Sequence, residues 1–279
     1  MKKMKPVLFV AISLMVMLSA PGAFGEEARP TADFSVSALS AYIWRGQELS
    51  KNSIVLQPSA TVSYRGFSAN VWGNLDTKPY TAAGDRNPAN WTETDFTLSY
   101  ASAIGKVTAS LGYIFYGLNA PVQGAADPPD SQEVFASISI DTLLSPTLTL
   151  YKEIDHYRQW YVLLGISHAF EFNKTVSLKL SATASYLKSE YADPNDPLNI
   201  GYPKYTEAGL PTADKYDNFH DGVISAALPI SVARYVTVTP SVSYVFPLSA
   251  EAKNEMRGRS RNMSDSSFLY GGVTLGIAF

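Results

Sequence analysis

Apolar and polar residues alternate with a period of two along most of this chain. Phe34, Val36 and Ala38 share one parity, which Tyr42 and Trp44 continue, and Ile54, Leu56, Ala60, Val62 and Tyr64 form a second run. After Arg65-Gly66, the apolar set Phe67, Ala69, Val71 and Leu75 returns opposite Ser68, Asn70, Asn74 and Asp76. Such alternation predicts strands with one apolar and one polar face. Further strands are expected around Leu98, Leu111, Ile138, Leu148, Leu164, Leu180, Ala226 and Val242, and a last one from Leu269 to Phe279, about twelve in all.

The connections alternate in length. Short turns are expected near Arg65-Gly66, Ile104-Gly105, 141–145, 171–173 and 231–234; longer polar loops fall at 47–53, 78–91, 118–131, 187–218 and 249–265, and only 155–158 is short where a long loop is due. Short turns at one end and long loops at the other give an all-β, up-and-down antiparallel transmembrane β-barrel with both termini periplasmic. Aromatics of the apolar parity sort to the strand ends, as membrane interfaces require. Phe34, Tyr64, Phe67, Tyr100, Phe170 and Phe279 fall at the short-turn end; Tyr42, Trp44, Tyr113, Phe115, Trp160, Tyr186, Tyr244 and Phe246 fall at the long-loop end. Pro58 and Pro240 lie inside strands, where bulges or ladder gaps are expected.

Two features of composition sharpen this. Met1-Lys-Lys-Met-Lys5, an apolar run from Pro6 to Ala20, and Ala23-Phe24-Gly25 read as a signal peptide, 1–25, leaving 26–279 as one barrel domain in the bacterial outer membrane. Taking Lys2, Lys3 and Lys5 from the 22 basic residues leaves 19 against 25 acidic ones, a mature charge of −6 that argues against nucleic-acid binding. The chain has no cysteine, so neither disulfide nor thiolate chemistry is available to it. Asp193, Asn195 and Asp196 lack a regular calcium-ligand spacing, and no cofactor is expected.

Ser40-Ala-Tyr-Ile-Trp-Arg-Gly46, followed by Ser50, Pro58, the Gly66 turn and Trp72-Gly73, resembles the opening of the TorF-type porin family of proteobacterial outer-membrane barrels. The resemblance in motif covers about a quarter of the chain, with Trp44 where Phe is commoner. It implies an outer-membrane location and a pore, and carries no active-site residues. The final alternating strand ending in Phe279 also resembles the terminal segment by which the barrel assembly machinery recognises such proteins.

The expected lumen face is rich in small hydroxyls, among them Ser59, Thr61, Ser63, Ser137, Thr149, Ser181 and Thr183, which leave room for water. Arg45, Arg65 and Lys179 point inward on this register against Asp76, Glu93, Asp95, Glu153 and Asp221. Mixed charges there either orient a passing solute or form a salt-bridge network that closes the bore. The expected function is a porin-like channel for small hydrophilic solutes, not an enzyme, in contact with outer-membrane lipid and lipopolysaccharide. A plugged structural or adhesive barrel and a barrel lipid hydrolase are the alternatives. The hydrolase needs Ser and His together, whereas His168 falls on the lipid parity and His220 at an outer strand end beside Tyr186, Tyr244 and Phe246. The 187–218 loop either folds into the mouth or is solvated, and Lys253, Arg257, Arg259 and Arg261 are expected to be solvated or to meet lipopolysaccharide phosphates.

Overall fold

The computed structural model describes residues 29–80, 87–195, 201–260 and 263–279. The expected signal peptide, Asp196 and Arg261 lie outside them. Twelve long strands form the wall: β1 (Thr31–Leu39), β2 (Val55–Tyr64), β3 (Phe67–Asp76), β4 (Asn90–Ile104), β5 (Val107–Leu118), β6 (Ser131–Ile140), β7 (Thr147–Glu153), β8 (Gln159–Glu171), β9 (Ser177–Ser189), β10 (Asp217–Ala227), β11 (Val236–Pro247) and β12 (Phe268–Ala278). A short strand, Ile230–Ala233, prolongs β10 along β11. Each strand pairs antiparallel with its sequence neighbours, and β1 pairs with β12 from Asp33↔Ala278 to Leu39↔Gly272, which closes the cylinder. Closure leaves no open sheet edge.

The alternation sets the two faces. Phe34, Val62, Phe67, Leu98, Tyr100, Leu111, Ile138, Leu148, Leu164, Phe170, Val242, Tyr244 and Leu275 are all exposed on the outside, Phe67 by 64% and Leu111 by 65%. Opposite parity turns hydroxyls inward, where they bond across strands: Ser37 to Thr274 at 2.8 Å, Ser63 to Ser68 at 2.9 Å, Ser137 to Thr149 at 2.9 Å and Ser225 to Ser243 at 2.8 Å. A belt of large apolar side chains on a closed cylinder is unstable in water and stable in lipid. Among the described residues, no helix is long and apolar enough to cross a membrane.

Both internal prolines sit at ladder gaps. The β2–β3 pairing stops at Leu56↔Leu75 and resumes at Ser59↔Trp72 without a change of register, leaving Pro58 opposite Gly73. Pro240 faces Leu228-Pro229, between β10 and its short continuation, and its carbonyl accepts from Leu228 N at 2.9 Å. A missing N–H is tolerated where the partner strand breaks.

Two expectations fail at the long-loop end, and one open alternative is decided there. First, β1 stops at Leu39, and Tyr42 and Trp44 lie inside the barrel instead of on the outer belt. Residues 43–44 and 47–48 form a two-residue hairpin whose turn, Arg45-Gly46, has φ of 45° and 75°. Positive φ at both turn positions is the hairpin geometry that matches strand twist, and Tyr42 N is held by Ser50 Oγ at 2.6 Å. Second, the basic stretch after Leu248 is a helix, α1 (Ala250–Arg259), capped by Ser249, whose hydroxyl accepts from Ala252 N at 3.0 Å. The alternative left open for the 187–218 loop is decided by its described residues: Pro203–Tyr205 pairs with Pro211–Lys215 in a hairpin, and Tyr202, Tyr205 and Tyr216 are buried in the mouth.

Candidate functional site

Those three segments meet inside the long-loop half of the barrel. The hairpin brings Arg45 into the bore, where Nη1 and Nη2 donate to the two carboxylate oxygens of Glu133, each at 2.7 Å. This bidentate geometry is the strongest form of a guanidinium–carboxylate bond. The guanidinium also lies 4.3 Å from the ring centre of Tyr161, 4.6 Å from Trp44 and 5.1 Å from Tyr151. Electron-rich faces on several sides stabilise a desolvated cation. Glu133, 1% exposed, also accepts from Tyr116 Oη at 2.9 Å.

Helix α1 locks the hairpin from above. Gln47 Nε2 donates to Tyr202 Oη at 3.2 Å and reaches Glu255 Oε1 at 3.5 Å, and Ser260 Oγ accepts from Glu48 N at 3.0 Å. Arg259 pairs with Glu255 at 3.4 Å one helical turn away, and its guanidinium stacks 4.0 Å from the Tyr202 ring. Arg257 donates to the Glu207 carbonyl and to Asn254 Oδ1. The basic residues Arg257 and Arg259 are thus absorbed by the plug, contrary to the expectation that they face solvent or lipopolysaccharide. Burial pushes the Glu255 carboxyl above the usual carboxylate range, against the opposing pull of His220 and Arg259. Burial likewise raises the Tyr157 phenol to about 12.

His220 was expected among outward aromatics, and a bulge overturns this. Ala184↔Gly222 and Tyr186↔Phe219 leave His220 and Asp221 together opposite Ser185. Two residues against one re-aims the chain. Phe219 stays outside, whereas His220 and Asp221 are both buried in the interior. His220 Nε2 meets the Arg45 carbonyl at 3.0 Å and Glu255 at 3.5 Å. His156 and His168 bond to backbone carbonyls, of Asp130 and Leu143.

The other expected residues divide as follows. Glu93 accepts from Tyr42 Oη at 2.9 Å and touches Asp95. Asp221 accepts from Tyr161 Oη at 2.9 Å and Ser185 Oγ at 2.7 Å. Glu153 caps the 154–158 link, accepting from Ser131 Oγ, His156 N and Arg158 N at 3.0, 2.9 and 2.6 Å. Asp76 accepts from Ser53 Oγ and Lys78 N at the rim. Lys179 lies on the inward parity near the short-turn end, between Ala169 and Ala227. Arg65 is in the β2–β3 turn, exposed, its guanidinium over the ring of outward Tyr64, so it is not on the lumen wall. Sequence parity missed Glu133, Glu255 and His220. Glu133 was legible, since it shares parity with the expected inward Ser137 and Ser139.

No family model matches this chain, and no curated protein does. Its shape is similar to the NanC porin, at 11% identity and a TM-score of 0.47 over 89% of this chain and 98% of that one. It is also similar to an outer-membrane channel from Pseudomonas putida F1, at 7% identity and 0.46 over 95% and 100%. A third similarity is to an anion-selective porin from Comamonas acidovorans, at 10% and 0.35 over 90% and 99%.

Proposed function

We propose that this chain is an outer-membrane channel for small hydrophilic solutes whose outer half is held shut by an internal plug. The observation that carries the reading is the contrast along the bore. The short-turn half is lined by hydroxyls bonded across strands, a surface that holds water. The outer half is filled by Arg45, its partner Glu133 and the surrounding aromatic cluster. Passage is then governed by whether the hairpin and α1 stay docked, and solutes are sorted by charge and bore size. On this reading the short turns and both termini face the periplasm. Lys188, exposed, and Lys152, half-buried and paired with Glu190, stand at the height of lipopolysaccharide phosphates, and the last strand is offered to the barrel assembly machinery.

A second reading, a closed structural barrel, is favoured by the burial of Tyr116, Tyr151, Tyr161, Tyr202 and Tyr216 in one cluster. One experiment separates the two. The mature protein is refolded, its folding checked by heat-modifiable gel mobility, and its conductance read in a planar bilayer. Discrete openings that become more frequent when 250–259 is excised support the channel; a silent bilayer from both forms supports the closed barrel.

A further inference from the structure

Between the hairpin, β4, β5 and Tyr202 lies a cavity of about 340 Å3, within the size range of small-molecule sites. Its walls are the rings of Tyr42, Trp44, Tyr116 and Tyr202, and Glu93 forms part of its floor. Asp95 follows on the same face of β4, its carboxyl against that of Glu93. Asp95 is 6% exposed, and its Oδ1 is buried with no hydrogen-bond partner.

The neighbouring cations are held by other carboxylates, including Arg259, which also lines the cavity and stacks on Tyr202. Arg45 gives both terminal nitrogens to Glu133, and Arg259 pairs with Glu255. Two buried carboxyls in contact with an acceptor left over cannot both be ionised without a positive partner. Aromatic faces beside them favour a cation further. We propose that this vestibule binds a small organic cation, its ammonium or guanidinium group taken by Glu93, with the Asp95 carboxyl behind it adding negative charge, and its carbon skeleton against Tyr42, Tyr116 and Tyr202. The inference deepens the channel reading, since the bound cation is a solute caught on its way through the plug. It also predicts that anionic solutes of the same size are excluded, because the floor repels them.

The test is titration calorimetry of the refolded mature chain with putrescine, which needs no conductance. Saturable binding is expected, weakened by about tenfold or more in Glu93→Gln, the loss of one charge-assisted bond, and by a smaller factor in Asp95→Asn. It should be unchanged in Glu190→Gln, an exposed carboxylate paired with Lys152. If one floor variant fails the gel-mobility check, the other carries the test. No saturable heat, equal affinity in the folded floor variants, or displacement of putrescine by equimolar magnesium chloride would overturn the organic-cation site. A silent bilayer with binding intact would remove the channel and leave the site, and conductance without binding would do the reverse.

Discussion

Removing Arg45 should open the barrel. In Arg45→Met the bidentate bond to Glu133 is lost, and a carboxylate 1% exposed is left beside Tyr116 alone. Deleting one partner of a buried ion pair costs ~3–5 kcal/mol, and the cation–π contacts add about 1 kcal/mol. The barrel wall has its own ladder and is not expected to unfold, so the cost falls on the docked hairpin, which can swing out and let water reach Glu133. At about 1.4 kcal/mol per tenfold, the docked-to-open ratio shifts by roughly three to four decades. Single-channel recording reads this directly as open probability. Arg45→Lys, which keeps charge but not the planar fork, should fall between wild type and Met. Adding Glu133→Gln to Arg45→Met should recover part of the closure by removing the stranded charge. A folded Arg45→Met barrel with wild-type open probability and step size would refute the claim that this pair holds the plug.

Three further outcomes are expected. A Cβ on Gly46 would lie 2.9–3.0 Å from Met256 Cε, Cγ and Sδ at φ of 75°; Gly46→Ala should therefore lift α1 at a cost of about 1–3 kcal/mol and hasten trypsin cleavage after Lys253, and an unchanged cleavage rate would count against the contact. Because burial raises Glu255 in the folded state, its contribution to docking is full below the ordinary carboxylate value and is lost as pH rises through the raised one. Hydrogen-exchange protection of α1, corrected for intrinsic rates, should accordingly fall as pH rises above the ordinary carboxylate range and be flatter in Glu255→Gln; equal slopes would sink this assignment. Glu153→Ala strips the acceptor from Ser131, His156 and Arg158, and at ~1.5–3 kcal/mol for a bond to a charged group the heat-modifiability midpoint should drop by roughly 5–10 °C. A drop within about 2 °C would mean that water replaces the cap.

The wall was legible because a strand's period is two and one of its faces meets an apolar environment. The residues Val107, Ala109, Leu111 and Tyr113 could sit on one side only. The plug was not legible, and the reasons are local. Tyr42 and Trp44 continue the parity of Phe34, Val36 and Ala38, and an aromatic residue suits an internal core as well as a lipid interface. The usable clue was Arg45-Gly46 itself, a two-residue turn in what looked like a continuing strand. In α1 the buried face is Ala252, Glu255 and Met256; with a carboxylate in it, the face carries no apolar stripe, although Ser249 followed by Glu251 is a helix-start signal. His220 escaped because one bulge reverses parity, and the sequence alone does not locate it. The Glu93–Asp95 pair was placed on the inner face, but its meeting with the aromatic cavity depends on the infolded hairpin.

The plug joins parts of the chain that are far apart in sequence: Gln47 to Tyr202, Glu48 to Ser260 and the Arg45 carbonyl to His220. Its hairpin springs from Leu39, held between β2 at Leu39↔Val55 and β12 at Leu39↔Gly272, and the second of these pairings closes the cylinder. Contacts of such separation form late, after the loops between them are closed. The filling of the bore therefore reports that the first and last strands have found each other. A newly inserted cylinder is hollow, and it seals itself as the final step of its own maturation.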